Sequence, residues 1–149
     1  MNKLKIGDKA PEINAIDQNG NKITLAQYKG KKIVLYFYPK DMTPGCTAQA
    51  CDLSENYNAL IKEGYDVIGV SCDSVKKHQK FIEKYNLPFN LISDEDQKVV
   101  NSYGVWQLKK FMGREYMGIV RTTFIIDDKG FIQEIINKVN TKEHTGQIL

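Results

Sequence analysis

From Lys32 to Tyr38 the chain reads Lys-Ile-Val-Leu-Tyr-Phe-Tyr, apolar or β-branched at every position after the first. A strand with one wet face alternates apolar and polar side chains, whereas a run that is apolar on both faces must be covered on both. The run therefore predicts a central strand between two layers. Asp66–Ser71 is a second strand of this buried type. Pro39–Gly45, with two prolines and a glycine, is a loop. Cys46–Glu63 then turns helical, with Leu53, Tyr57, Leu60 and Ile61 on an i, i+4, i+7, i+8 stripe and Gly64 as its stop. Val75–Tyr85 is a further helix, with Val75, Gln79, Ile82 and Tyr85 spaced along it.

The remaining segments are shorter. Asn19-Gly20 supplies positive φ angles for a tight hairpin between Ile13–Asp17 and Lys22–Leu25. Phe89–Ile92 reads as a short strand and Gln97–Tyr103 as a short helix; Gln107–Met117 is an excursion between core elements. Thr123–Asp127 and Phe131–Ile136 flank Asp128-Lys129-Gly130 as a second hairpin, and Thr141 caps a final short helix. The order βαβαβ, then a hairpin, then a helix implies a mixed sheet with helices on both faces. An α/β fold of thioredoxin type satisfies it, with an N-terminal β-hairpin. The 149 residues show no repeat or linker and are expected to form a single domain, 1–149.

Charge excludes more than it proposes. The net charge is +3 and the pI near 8.6, with lysines (Lys3, Lys5, Lys9, Lys29, Lys31, Lys32, Lys76, Lys77, Lys109, Lys110) scattered among acids. That is a solvated surface rather than the concentrated basic face of a nucleic-acid binder. Met1–Asp8 has no apolar core and no cleavage site, and no apolar run approaches the ~18 residues of a membrane helix. The expected location is cytoplasmic, without a nucleic-acid or membrane partner. Thiols there stay reduced, and the three cysteines are an odd number, which argues against a static disulfide framework.

Cys46 and Cys51 are the chemical centre. Cys46 falls at the first turn of a helix, where free N–H groups and the positive dipole end favour an anion, so its thiol is expected to ionise readily. Thr43 can offer a hydroxyl to the sulfur or its substrate. Five residues of ideal helix rise ~7.5 Å and turn ~500°, leaving the two Cα atoms ~8.6 Å apart. A disulfide needs them within roughly 7 Å. Cys46 and Cys51 can therefore pair only if part of the helix unwinds. The competing readings are small buried hydrophobes and a zinc site drawing on Cys72, His78 and His144, although cysteines five apart do not share a helix face. Cys72 reads as a spectator, and His78 and His144 as surface residues in polar helical segments.

The chain resembles the peroxiredoxins. Pro39-Lys40-Asp41-Met42-Thr43-Pro44-Gly45-Cys46-Thr47 is similar to their active-site loop, and Thr-Pro-Gly-Cys-Thr-x-x-Ala-Cys-Asp to the subfamily called bacterioferritin comigratory protein, or PrxQ. Gly7–Pro11, Gly69-Val70-Ser71 with Asp73, Tyr103–Trp106 and Arg121–Asp127 extend the likeness over nearly the whole chain. The resemblance implies Cys46 as peroxidatic cysteine and Cys51 as resolving cysteine. It also implies that Thr43 bonds the peroxide, Pro39 shields the thiolate and Arg121 stands beside it. It further implies a thiol peroxidase for hydrogen peroxide and organic hydroperoxides, which forms a sulfenic acid and then an intramolecular Cys46–Cys51 disulfide. Thioredoxin or a similar dithiol would recycle it, with no metal, haem, flavin or nucleotide, in a monomer.

Two departures are visible. Gln49 stands where the subfamily usually has Glu, keeping an acceptor but losing the charge that would hold an arginine. There is no Gly-Gly, and no Phe, Tyr or Trp follows Phe131, so the segments of over-oxidation-sensitive peroxiredoxins are absent. A thioredoxin-like disulfide oxidoreductase is the rival enzyme, but Cys-x-x-Cys is missing and no proline follows Pro88 to supply its cis-proline. A redox sensor passing oxidation to a partner would use the same cysteines.

Overall fold

The apolar run becomes β3 (Lys32–Phe37), in which every residue from Ile33 onward is buried. It lies parallel to β4 (Tyr65–Ser71) on one side and antiparallel to β8 (Thr122–Ile126) on the other. The computed structural model describes residues 4–149; Met1–Lys3, the start of the stretch read for a targeting signal, lie outside the described residues. β4 is parallel to β5 (Asn90–Ser93), and β1 (Asn14–Ile16) and β2 (Lys22–Thr24) extend the sheet antiparallel beyond it. β9 (Ile132–Ile136) closes the opposite edge, giving the order β2-β1-β5-β4-β3-β8-β9. The fold is thus the expected thioredoxin-like α/β arrangement, a central mixed sheet with helical cover.

Alternation along β3 sorts the core into two. Ile33, Leu35 and Phe37 point to one face, packed with Ile68, Val70, Phe124 and α4 (Lys98–Ser102). Val34, Tyr36 and Tyr38 point to the other, with Cys46, Ala50 and Leu53 of α1 (Pro44–Glu55), Leu60 of α2 (Tyr57–Lys62) and Phe81 of α3 (Val75–Tyr85). Cys46 therefore stands over the sheet on the α1/α3 face. Gly69, central in β4, lets Tyr36 lie close. A Cβ there would sit 2.6 Å from Leu91 Cδ2 and 2.9 Å from the Tyr36 ring.

Several sequence expectations need correcting. The helix expected from Cys46 to Glu63 starts at Pro44 and breaks at Asn56, and Ile61 of its stripe is exposed on α2. On α3 the buried side chains are His78 and Phe81, and Gln79 is exposed. His78 sits three residues after Val75, on the 3.6-residue face that meets the sheet, and burial is possible because both its ring nitrogens are bonded. The N-terminal hairpin turns through Asp17–Asn21, and of Asn19 and Gly20 only Gly20 has positive φ. Asp17 Oδ1 accepts from the Asn19 and Asn21 N–H groups and holds this wider turn. The excursion at 107–117 is a separate two-stranded hairpin, β6 (Trp106–Phe111) with β7 (Arg114–Ile119). Glu143, not Thr141, precedes α5 (His144–Ile148), because Asn140 gathers the preceding N–H groups. No helix of the described residues is long and apolar enough to cross a membrane.

Candidate active site

β3 ends in a loop whose backbone bends sharply at Met42, a non-glycine residue with φ of 67°. Thr43 is extended (φ −79°, ψ 153°) and Pro44 opens α1. Proline suits this position because its ring presets φ and the first helical N–H has no partner to lose. Cys46 is thus held in the first turn of α1, among unpaired N–H groups, and it is 1% exposed.

Arg121 reaches the same point from the neighbouring strand, on the same face of the sheet. It precedes β8, whose Thr122 pairs with Phe37 at the end of β3. Its Nη2 donates to Cys46 Sγ at 3.2 Å, and its Nη1 donates to Gln49 Oε1 at 2.6 Å. Cys46 and Gln49, three apart, lie on one face of α1, and one guanidinium spans both. The approach is tight: a Cβ on Gly45 would be 3.3 Å from Arg121 Nη2. The amide of Gln49 therefore holds the arginine without a carboxylate. Its Nε2 is buried without a hydrogen-bond partner among the described residues.

Thr43 is half-buried and donates its hydroxyl to Lys40 O at 2.9 Å, which leaves the oxygen lone pairs free to accept. Pro39 lies exposed in the same loop. Cys51 is on α1 too, but off the face formed by Cys46, Gln49, Ala50 and Leu53, and only partly buried. All three cysteines are free thiols. Burial, and then the nearby Glu55 charge, push the Cys51 thiol up. Next to it, Asp52 Oδ2 accepts from the Thr145 N–H at 2.7 Å and the Thr145 hydroxyl at 2.8 Å, so α5 is fastened onto α1 beside Cys51.

Sequence reasoning missed Tyr36. Its ring stacks on Tyr38 at 5.3 Å, and its buried hydroxyl has no partner among the described residues. Burial, then the charges of Asp41 and Cys46, raise its pKa far above the usual phenol value and keep it neutral. The available signal was its period-2 spacing with Tyr38, just ahead of the loop.

The two histidines read as surface residues are both fully buried. His144 is bonded through Nε2 to Thr123 Oγ1 and through Nδ1 to Gln147 Oε1, each at 2.8 Å. His78 bonds Asp41 and the Ile92 carbonyl. Cys72 is half-buried, and burial with the charges of Asp94, Asp73 and Asp96 pushes its thiol up to about 12. That is a poor nucleophile, in keeping with a spectator. Asp41, Asp73 and His78 are the one group among the described residues that brings three such ligand atoms within 4.8 Å of one another. It includes no cysteine, and its atoms already bond one another and their neighbours.

The AhpC/TSA family profile matches residues 6–135. Peroxiredoxin Bcp of Bacillus subtilis is 48% identical over 146 residues, covering 98% of this chain and 93% of its own. Peroxiredoxin Bcp of Escherichia coli K12 is 46% identical over 149 residues, covering 100% and 96%. Among solved structures, a cysteine-to-serine mutant of Xylella fastidiosa PrxQ superposes with a TM-score of 0.92 at 30% identity, over 99% of this chain and 94% of that one. A cysteine-to-serine mutant of Xanthomonas campestris Peroxiredoxin Q gives 0.85 at 34% identity, over 91% and 87%.

Proposed function

The chain belongs to the AhpC/TSA family and, within it, to the Bcp/PrxQ peroxiredoxins, and on that premise we propose that Cys46 is its peroxidatic cysteine. The protein is a thiol-based peroxidase. The observation that carries the assignment is the Arg121 Nη2 donor 3.2 Å from a buried Cys46 sulfur at a helix start.

The Cys46 thiolate attacks one peroxide oxygen as the O–O bond breaks. The sulfur is oxidised to a sulfenic acid, and the peroxide is reduced to water or an alcohol once the leaving oxygen takes a proton. Arg121 stabilises the attacking sulfur and the charge growing on the leaving oxygen. Thr43, whose lone pairs are free, accepts the peroxide hydroxyl and orients it. Pro39, at the loop rim, limits water at the sulfur.

Cys51 is the resolving cysteine. Lying off the Cys46 face, it reaches the sulfenic acid only when α1 unwinds, and condensation releases water and forms the intramolecular disulfide. An external dithiol, thioredoxin by family likeness, reduces that disulfide by exchange. Hydrogen peroxide and organic hydroperoxides are the substrates. The unit acting is residues 1–149 as one domain, a monomer in the cytoplasm. The weak +3 charge supports the absence of a nucleic-acid partner. The test is NADPH-coupled peroxide consumption with thioredoxin reductase and thioredoxin; turnover surviving in Cys46→Ser would overturn the reading.

A further inference from the structure

The loop carrying Thr43 is fastened from behind by a buried polar chain that the chemistry above does not use. Asp41 is its hub. The Asp41 N–H donates to Asp73 Oδ2 at 2.8 Å, its Oδ1 accepts from the Tyr38 hydroxyl at 2.6 Å, and its Oδ2 meets His78 Nδ1 at 2.6 Å. His78 in turn reaches the Ile92 carbonyl through Nε2 at 2.9 Å. Asp73 is itself held by the Ser71 hydroxyl at 2.7 Å. Asp41, Asp73 and His78 are 5%, 8% and 0% exposed. The chain ties the loop to the ends of β3 and β4, to α3 and to β5.

We propose that Asp41 and His78 are a positioning pair for peroxide reduction, anchoring the loop so that Thr43 meets a peroxide at Cys46. Burial of this kind persists only where each polar atom is bonded. A carbonyl can only accept, so His78 Nε2 carries a hydrogen. Tyr38, whose pKa burial raises well above the usual phenol value, remains a neutral donor to Asp41. The 2.6 Å contact between His78 Nδ1 and Asp41 therefore holds one shared proton, and the pair presents a single geometry to the loop. One residue on, Met42 is in the left-handed region, a conformation that lasts only where its flanks are pinned. Asp41 is the pin on one side and helix α1 on the other, with Thr43 between them. Neither Asp41 nor His78 touches the sulfur, so both act through Thr43.

The two nitrogens of His78 allow a paired test. His78→Asn keeps a donor at the Nδ1 position toward Asp41 and gives up Ile92. His78→Gln keeps a donor at the Nε2 position toward Ile92 and gives up Asp41. Asp41→Asn keeps both contacts, its Oδ1 accepting from Tyr38 and its Nδ2 donating to neutral His78. Quench-flow mass spectrometry would give the rate of Cys46 oxidation by hydrogen peroxide, and iodoacetamide would report the same thiol with no peroxide to orient. His78→Gln is expected to lose ~10- to 100-fold of the peroxide rate and less than ~2-fold of the alkylation rate, the size of effect a small misplacement produces. His78→Asn and Asp41→Asn should stay within ~3-fold for both reactions. Equal losses in the two His78 variants, parallel loss of both reactions in His78→Gln, or a tenfold loss in Asp41→Asn would each overturn the proposal. Should His78→Gln fail to fold, a tenfold loss in Asp41→Asn would still overturn the proposal. The inference rests on Cys46 as the reacting thiol, and failure of that assignment would show separately, as unmodified protein whose Cys46 does not react with peroxide.

Discussion

Arg121 is bonded to Cys46, Nη2 to Sγ at 3.2 Å, while its second arm is fixed on Gln49. The fork is planar, so both bonds form only in one orientation. Arg121→Lys keeps the charge and loses the fork. It is expected to cut the single-turnover rate with hydrogen peroxide by ~10²-fold, as loss of one preorganised donor to a developing anion does. A loss under threefold would place the guanidinium outside the reaction.

Cys51→Ser should separate the two halves of the cycle. The variant is expected to consume one peroxide equivalent per chain and then stall in the thioredoxin-coupled assay, with Cys46 trapped by a sulfenic-acid reagent. Because Cys51 is only partly buried, its thermal midpoint should be close to that of the unmodified chain. Sustained turnover would assign resolution to another thiol.

Cys72→Ser should leave thioredoxin-dependent turnover within ~2-fold of the unmodified chain, since a thiol pushed up to about 12 is scarcely ionised at neutral pH. At pH 8, mass-mapped alkylation by iodoacetamide should reach Cys72 more slowly than Cys46.

Gly69→Ala should destabilise the fold. The new methyl would lie 2.6 Å from Leu91 and 2.9 Å from Tyr36, and overpacking of this kind costs ~1–3 kcal/mol. Calorimetry should show a midpoint lowered by several degrees. An unchanged midpoint would mean that the Tyr36 ring moves freely.

Stability should fall in mild acid through His144. Burial lowers its pKa in the folded chain, opposed by its bond to Gln147. The unfolded chain binds the proton first as pH drops below ~6.5. Stability that the neutral ring supports is therefore whole above ~6.5 and is lost progressively as pH falls through the lower folded value. Melting followed from pH 7 to pH 5 should show this slope, and His144→Gln should flatten it. Equal slopes in both proteins would assign the acid sensitivity elsewhere.

Local chemistry made much of this legible in the residues. The two-sided apolar run from Ile33 to Tyr38 announced the central strand, and Gly64 marked a helix end. The Pro-Gly-Cys start of α1 placed Cys46 at a helix N-terminus. What stayed hidden depends on partners far along the chain. His78 and His144 looked polar because their burial rests on Asp41, Ile92, Thr123 and Gln147, which no local pattern reveals. Gln49 looked like a loss of grip on an arginine, yet its amide oxygen makes a 2.6 Å bond to Arg121. The hairpin at 106–119 has few alternating signals because both its strands are largely exposed.

The break at Asn56 sets how far melting can travel. Helix–coil change is cooperative along an uninterrupted helix and loses that cooperativity at a discontinuity. α1 and α2 are separate helices joined at Asn56, and α2 has its own moorings in buried Leu60 and in the Tyr57 hydroxyl bonded to Asp66 at 2.8 Å. An order–disorder transition that begins at Cys46 therefore spends itself within the twelve residues of α1. The remaining scaffold serves as a fixed frame against which the segment can refold.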